Sequence, residues 1–231
     1  MRKFAMVVLL ISFFQISHAQ EVLPVNKYIT GGSINFLHQN NTYPLSSLSI
    51  ISGIGGIYSS NTDEIKNTSF AFTPYFGKEI NPRLMVGLQL DYRLGKYKAE
   101  DIFIFGQTDP VDLERNSNQI GIGLFSRHLL NPDNKFILFV QPYFEYNILN
   151  QEEAQGSNIT REEKASYFEL GAGLGVLYNI NSKIRATLRT GGLTYVNGKW
   201  EIKDTDTEKD FSSFGTTINL SSIFFGFEFR I

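Results

Sequence analysis

Alternate positions along much of the chain separate oil from charge. From Arg83 to Leu94 the even positions are Leu84, Val86, Leu88, Leu90, Tyr92 and Leu94. The odd ones are Arg83, Met85, Gly87, Gln89, Asp91 and Arg93. Period-2 alternation over this length marks a strand with two unlike faces. Tyr167 to Ile180 repeats it, with Phe168, Leu170, Ala172, Leu174, Val176, Tyr178 and Ile180 on one face. Its other face is Tyr167, Glu169, Gly171, Gly173, Gly175, Leu177 and Asn179. The C-terminus sets Ile223, Phe225, Phe227, Phe229 and Ile231 against Phe224, Gly226, Glu228 and Arg230. The apolar faces carry no charge, although 19% of the chain is charged.

Extending this pattern predicts eight strands, near 28–38, 67–79, 83–97, 117–130, 135–149, 164–180, 183–197 and 212–231. Three connections are short and turn-like: Ile80-Asn81-Pro82-Arg83, Asn131-Pro132-Asp133-Asn134 and Ile180-Asn181-Ser182-Lys183. Asn, Pro and Asp favour tight turns through their dihedral preferences and side-chain capping. The other four, near 39–66, 98–116, 150–163 and 198–211, are long and polar. Short and long alternate, as expected of a closed, antiparallel, up-and-down transmembrane β-barrel of even strand number. The apolar stretch Ser46 to Ser60 fits this count poorly and is assigned to an outer loop. The alternative places two further spans between 39 and 66, making ten. In the last strand, apolar positions change from even (Phe214, Thr216, Ile218, Leu220) to odd from Ile223. A β-bulge near Leu220 to Ser222 would restore the face.

The rival to a membrane barrel is a soluble lipocalin-like barrel, with oil inside. Glycines 87, 121, 123, 171, 173, 175 and 226 lie on the charged face. Small residues suit a narrow lumen, which places that face inward. The lumen would then hold Arg83, Asp91, Arg93, Arg127, Glu145, Glu169, Arg185, Arg189, Glu228 and Arg230 as a structural network. Pairing is the default for such charges, because unpaired buried charge is costly. The alternative use is a narrow porin-like channel. Tyr75, Phe76, Tyr92, Phe136, Phe144, Tyr146, Tyr178 and Tyr195 are candidates for interfacial aromatic girdles.

The N-terminus reads as a secretory signal peptide. Arg2 and Lys3 precede an apolar run from Phe4 to Ile16, and Ser17-His18-Ala19 places small residues before a cut between Ala19 and Gln20. The run is shorter than the roughly 20 residues that cross about 30 Å of hydrocarbon. Residues 1–19 are thus a leader and 20–231 the barrel domain. The chain has 231 residues, no cysteine and a formal charge of −2. No disulfide framework exists, and near-neutral charge argues against nucleic acid.

Phe72 to Tyr92 (FTPYFGKEINPRLMVGLQLDY) resembles strands two and three of small outer-membrane β-barrel proteins of the Bacteroidetes type. The ending FGFEFRI resembles the C-terminal assembly signal of outer-membrane proteins, with Gly226 and Phe229 in place. Ile231 stands where that signal usually has an aromatic residue. The resemblance implies a Gram-negative outer membrane with both termini periplasmic. Lipid, lipopolysaccharide and the barrel-assembly machinery are the expected partners of such a barrel, taken as a monomer; its long loops are placed to meet an extracellular protein or glycan, the alternative being a purely structural role.

Enzymatic chemistry finds little support. His38 and His128 are the histidines beyond the leader, and no spacing pairs either with a nucleophile. The glycine runs at 121–123 and 171–175 lie inside strands, with no following helix to make a phosphate loop. Asp109, Asp112 and Glu114, and Asp204, Asp206, Glu208 and Asp210, read as solvated acidic loops, since no calcium-loop spacing is present. No catalytic residue, metal site or cofactor is assigned.

Overall fold

A computed structural model describes residues 27–41, 65–102, 111–155, 158–203, 205, 207–216 and 223–231. The leader, Ser46–Ser60 and Leu220–Ser222 lie outside these residues. The strands are β1 (Lys27–Asn41), β2 (Ile65–Asn81), β3 (Leu84–Ile102), β4 (Val111–Leu129), β5 (Phe136–Gln155), β6 (Asn158–Asn179), β7 (Ile184–Ile202), β8 (Glu208–Thr216) and β9 (Phe224–Arg230). Every pairing is antiparallel, each of β1 to β7 pairs with the next, and β9 lies between β7 and β1. The ring therefore closes. Because β8 and β9 both pair with β7, over successive stretches, they are two parts of one wall position. Nine strands thus build an eight-position, closed up-and-down barrel.

One end carries the short turns, each fixed by an asparagine. Asn81 Oδ1 accepts from the Arg83 amide at 2.8 Å. Asn131 Oδ1 accepts from the Leu138 amide at 2.6 Å, while its Nδ2 donates to the Phe136 carbonyl at 2.8 Å. Asn181 Oδ1 accepts from the amides of Lys183 and Ile184, both at 2.8 Å. Such side-chain bonds satisfy turn amides that no ladder reaches.

The opposite end differs from the expected loops. Most of 98–116, 150–163 and 198–211 is strand. In particular, β5 and β6 stay paired up to Gln155 and Asn158. The polar segments are extensions of the hairpins, and their ladders hold although their side chains meet water. A membrane crossing uses only about 9–11 residues of each strand.

The wall also contains a bulge that the sequence pattern did not predict. Gly173 is opposite Gly192 and Leu174 opposite Thr190, so Gly191 is extra in β7. Below it Arg185 and Thr187 point inward; above it Thr194 and Val196 do. The expected phase change in the last strand is present, since Phe214 and Phe225 are both exposed. Thr216 is opposite Leu193 and Phe224 opposite Arg189. The change therefore keeps the last wall position in step with the bulged β7.

Candidate functional site: the barrel lumen and its two surfaces

Outside, the barrel is apolar. Leu88, Leu90, Ile122, Leu124, Leu138, Leu174 and Leu188 are exposed and form a band around the wall. Toward the turns, Tyr28 stacks on Phe76 at 5.7 Å and Phe136 lies 4.8 Å from Tyr178. Lys78 and Lys135 stand over Tyr28 and Tyr178. Toward the hairpins, Phe168 packs on Phe144 at 5.5 Å and Tyr146 at 5.0 Å. Tyr92 and Tyr195 are exposed as well. Tyr75 departs from its girdle assignment: it is 8% exposed and faces the lumen. Neighbours in a strand face opposite ways, so Tyr75 and Phe76 cannot both meet lipid.

Inside, the turn-side half of the lumen is filled. Ile29, Tyr75, Met85 and Phe125 form one apolar cluster; Leu129, Ile137, Phe139 and Leu177 form a second. An ionic cluster is set among them. Glu228 is 0% exposed. Its Oε2 accepts from Arg127 Nη1 at 2.6 Å and from the Tyr75 hydroxyl at 2.8 Å. Its Oε1 pairs with Arg185 Nε. Arg185 also reaches Glu79 at 3.0 Å, which Arg230 meets at 3.1 Å. The Arg127 guanidinium lies 4.5 Å from the Phe139 ring centroid and donates from Nε to Gln141 at 3.0 Å. Paired charges of this kind can be buried, where isolated ones would not be tolerated.

A second, more amide-rich layer lies above. Gln89 donates to Glu145 at 2.8 Å, and Gln141 Nε2 donates to Gln89 Oε1 at 3.3 Å. Asp91 accepts from Thr73 at 2.8 Å and pairs with Arg93. Gln119 donates to Asn147 at 2.9 Å. The Tyr143 hydroxyl donates to Glu169 at 2.5 Å. Arg93 is 43% exposed, whereas Asp91, Gln89, Glu145 and Asn147 around it are buried. Arg189 places its guanidinium 4.9 Å from the Phe224 ring. Toward the hairpins the interior is apolar again, with Leu149, Ala165, Tyr167, Val196 and Trp200 packed together.

Nine of the ten lumen candidates thus line the interior, Arg230 half-buried at its turn-side mouth. Arg83 does not join them: it stands exposed at the β2–β3 turn, where only its carbonyl still accepts from the Leu129 amide. Sequence reasoning missed Glu79, Tyr75, Gln89, Gln119, Gln141 and Asn147 as members. All share the inward parity of their strands, which was the available signal. Two inward glycines show how the space is made. A Cβ on Gly121 would stand 2.2 Å from Asn147 Oδ1, and one on Gly175 would stand 2.2 Å from the Phe139 ring. Of the C-terminal motif, Gly226 is buried while Phe229 and Ile231 are exposed.

The hairpin extensions carry charge. Lys96 pairs with Glu114 at 2.7 Å and Arg115 with Glu153 at 2.6 Å. The hydrogen bond from Lys96 holds the Glu114 carboxyl below its ordinary range. A cleft of about 720 Å³ opens between the tops of β5, β6 and β7, lined by Glu152, Glu162, Glu201 and Lys203 among others. His38 bonds Thr68 at 2.9 Å, and His128 bonds Ser126 at 3.2 Å. Neither pair shows a carboxylate partner orienting the ring among the described residues. No helix of the described residues is long and apolar enough to cross a membrane.

An oily belt with aromatic margins around a polar interior defines a membrane-spanning β-barrel. No protein-family profile matches the chain, and no curated protein does. Among solved structures it is similar to Neisserial surface protein A, at 13% identity and TM-score 0.39, over 89% of this chain and 97% of that one. The outer membrane protein OprG from Pseudomonas aeruginosa gives 13% and 0.42, over 91% and 98%. A major outer membrane protein from Thermus thermophilus gives 12% and 0.39, over 89% and 99%. The fold assignment rests on the strand pairing itself.

Proposed function

We propose that this chain is an integral outer-membrane barrel with a sealed lumen, acting through the charged hairpins that it raises above the bilayer. The sealed lumen is carried by one observation: Glu228, Arg127 and Arg185 meet in the turn-side half, each 2% exposed or less. Water that reaches Arg93 has no comparable polar path past Phe125, Phe139 and Tyr75. In this reading the turns and both termini are periplasmic, residues 1–19 are removed on export, and Gly226 and Phe229 serve assembly. The partner class is an extracellular protein or glycan, with lipopolysaccharide around the belt. No enzymatic role is proposed: among the described residues neither histidine meets a carboxylate that would make it a relay.

Two measurements test this. Membrane fractionation with a heat-modifiability gel should place a compact, heat-shifted band in the outer-membrane fraction. Recovery from the soluble periplasm would overturn the membrane assignment. Purified protein in planar bilayers should show no stable conductance, and nanosiemens steps would overturn the sealed lumen.

A further inference from the structure

β9 closes the ring by pairing with β1 from Ile29 to Ile34 and with β7 from Ile184 to Arg189. Among the described residues β8 pairs only with β7, and β1 beyond Ile34 only with β2. The closing strand is also the last part of the chain, so one edge of β1 waits for it. An unpaired edge in lipid is costly, because no water satisfies its amides and carbonyls.

At that strand's centre stands Glu228. Its carboxylate is held by Tyr75 from β2, Arg127 from β4 and Arg185 from the adjacent β7. Arg230, two residues on and also inward, reaches Glu79 of β2. These partners lie on both sides of the closing strand and across the lumen from it. Glu228 is the one carboxylate paired with Arg127 among the described residues. Until β9 docks, Arg127 faces the apolar cluster of Tyr75, Phe125 and Phe139 without a counter-charge.

We propose that Glu228 is the closing tie of the barrel: its capture by Arg127, Arg185 and Tyr75 locks the final strand to β4, β7 and β2 at once. Pairing the two arginines and seating β9 are then one event. The other walls do not depend on it.

The test is Glu228→Gln, which keeps shape and removes charge, read by the temperature at which the compact band is lost. The expected shift is roughly 10 °C downward, since it leaves a buried arginine unpaired. Glu208→Gln, in the exposed hairpin pair with Lys199, should shift it little. Hydrogen exchange on the folded variant should speed up in Phe224–Arg230 and Ile29–Ile34 while β3 to β6 stay protected. Adding Arg127→Met to Glu228→Gln should restore part of the loss. If Glu228→Gln never reaches the compact form, Tyr75→Phe, which removes one bond and no charge, should fold and show the same local exchange more weakly. A midpoint equal to the parent's, or protection lost evenly around the ring, would overturn the tie.

Discussion

At Leu124, Gly175 and Tyr75 the fate of a side chain follows from which side of the wall its parity gives it. Leu124 is 59% exposed in the middle of the apolar band. Leu124→Arg should cost about 2–4 kcal/mol in a folding titration into vesicles, as a charge near the bilayer midplane does. Gly175 lies on the other side, beneath Phe139. Gly175→Val should destabilise by about 1–3 kcal/mol through overpacking, with lumen aromatics displaced in the spectrum of the near-ultraviolet dichroism. Tyr75 shows the same rule against expectation. An aromatic in a strand reads as girdle by composition, but its odd position in β2 sends its hydroxyl to Glu228. At the surface, Glu114 depends on its cross-strand lysine. Lys96→Ala should raise the Glu114 pKa toward the ordinary carboxylate value, as followed by NMR titration. The pair's contribution is present above that ordinary value and fades as pH falls through the depressed one.

The strands show what an extra residue does. Arg185, Arg189 and Tyr195 are all odd, yet the first two line the lumen and the last faces out. Only an inserted residue between them reconciles these placements, and Gly191 is that residue. Deleting Gly191 should put Thr194 and Val196 on the lipid side and Leu193 and Tyr195 in the lumen. The expected result is loss of the heat-modifiable band. The hairpin extensions make the converse point. Polar composition reads as loop, but antiparallel ladders continue wherever register is already set. For that reason the strands around 98–116 and 150–163 outran the expected bounds.

For the whole molecule, the belt and the hairpins predict different accessibility. A protease added to intact cells should cut the hairpin ends near Gln155 and leave the turns at Asn81, Asn131 and Asn181 intact. Cuts at those turns in intact cells would reverse the proposed orientation. The period-2 separation of charge from oil pointed to an all-β barrel, because parity is a local property of an extended chain; the glycines on the charged face pointed to its inward side, and the alternation of short and long connections to eight wall positions. The short turns were legible for the same reason, since Asn and Pro act on their own backbone. Which charges meet was not legible. Glu79, Arg127, Arg185 and Glu228 come from four separate strands, and only the closed tertiary structure decides their distances. The length of the hairpins and the β7 bulge were likewise decided there, because register belongs to a pair of strands and not to either sequence alone.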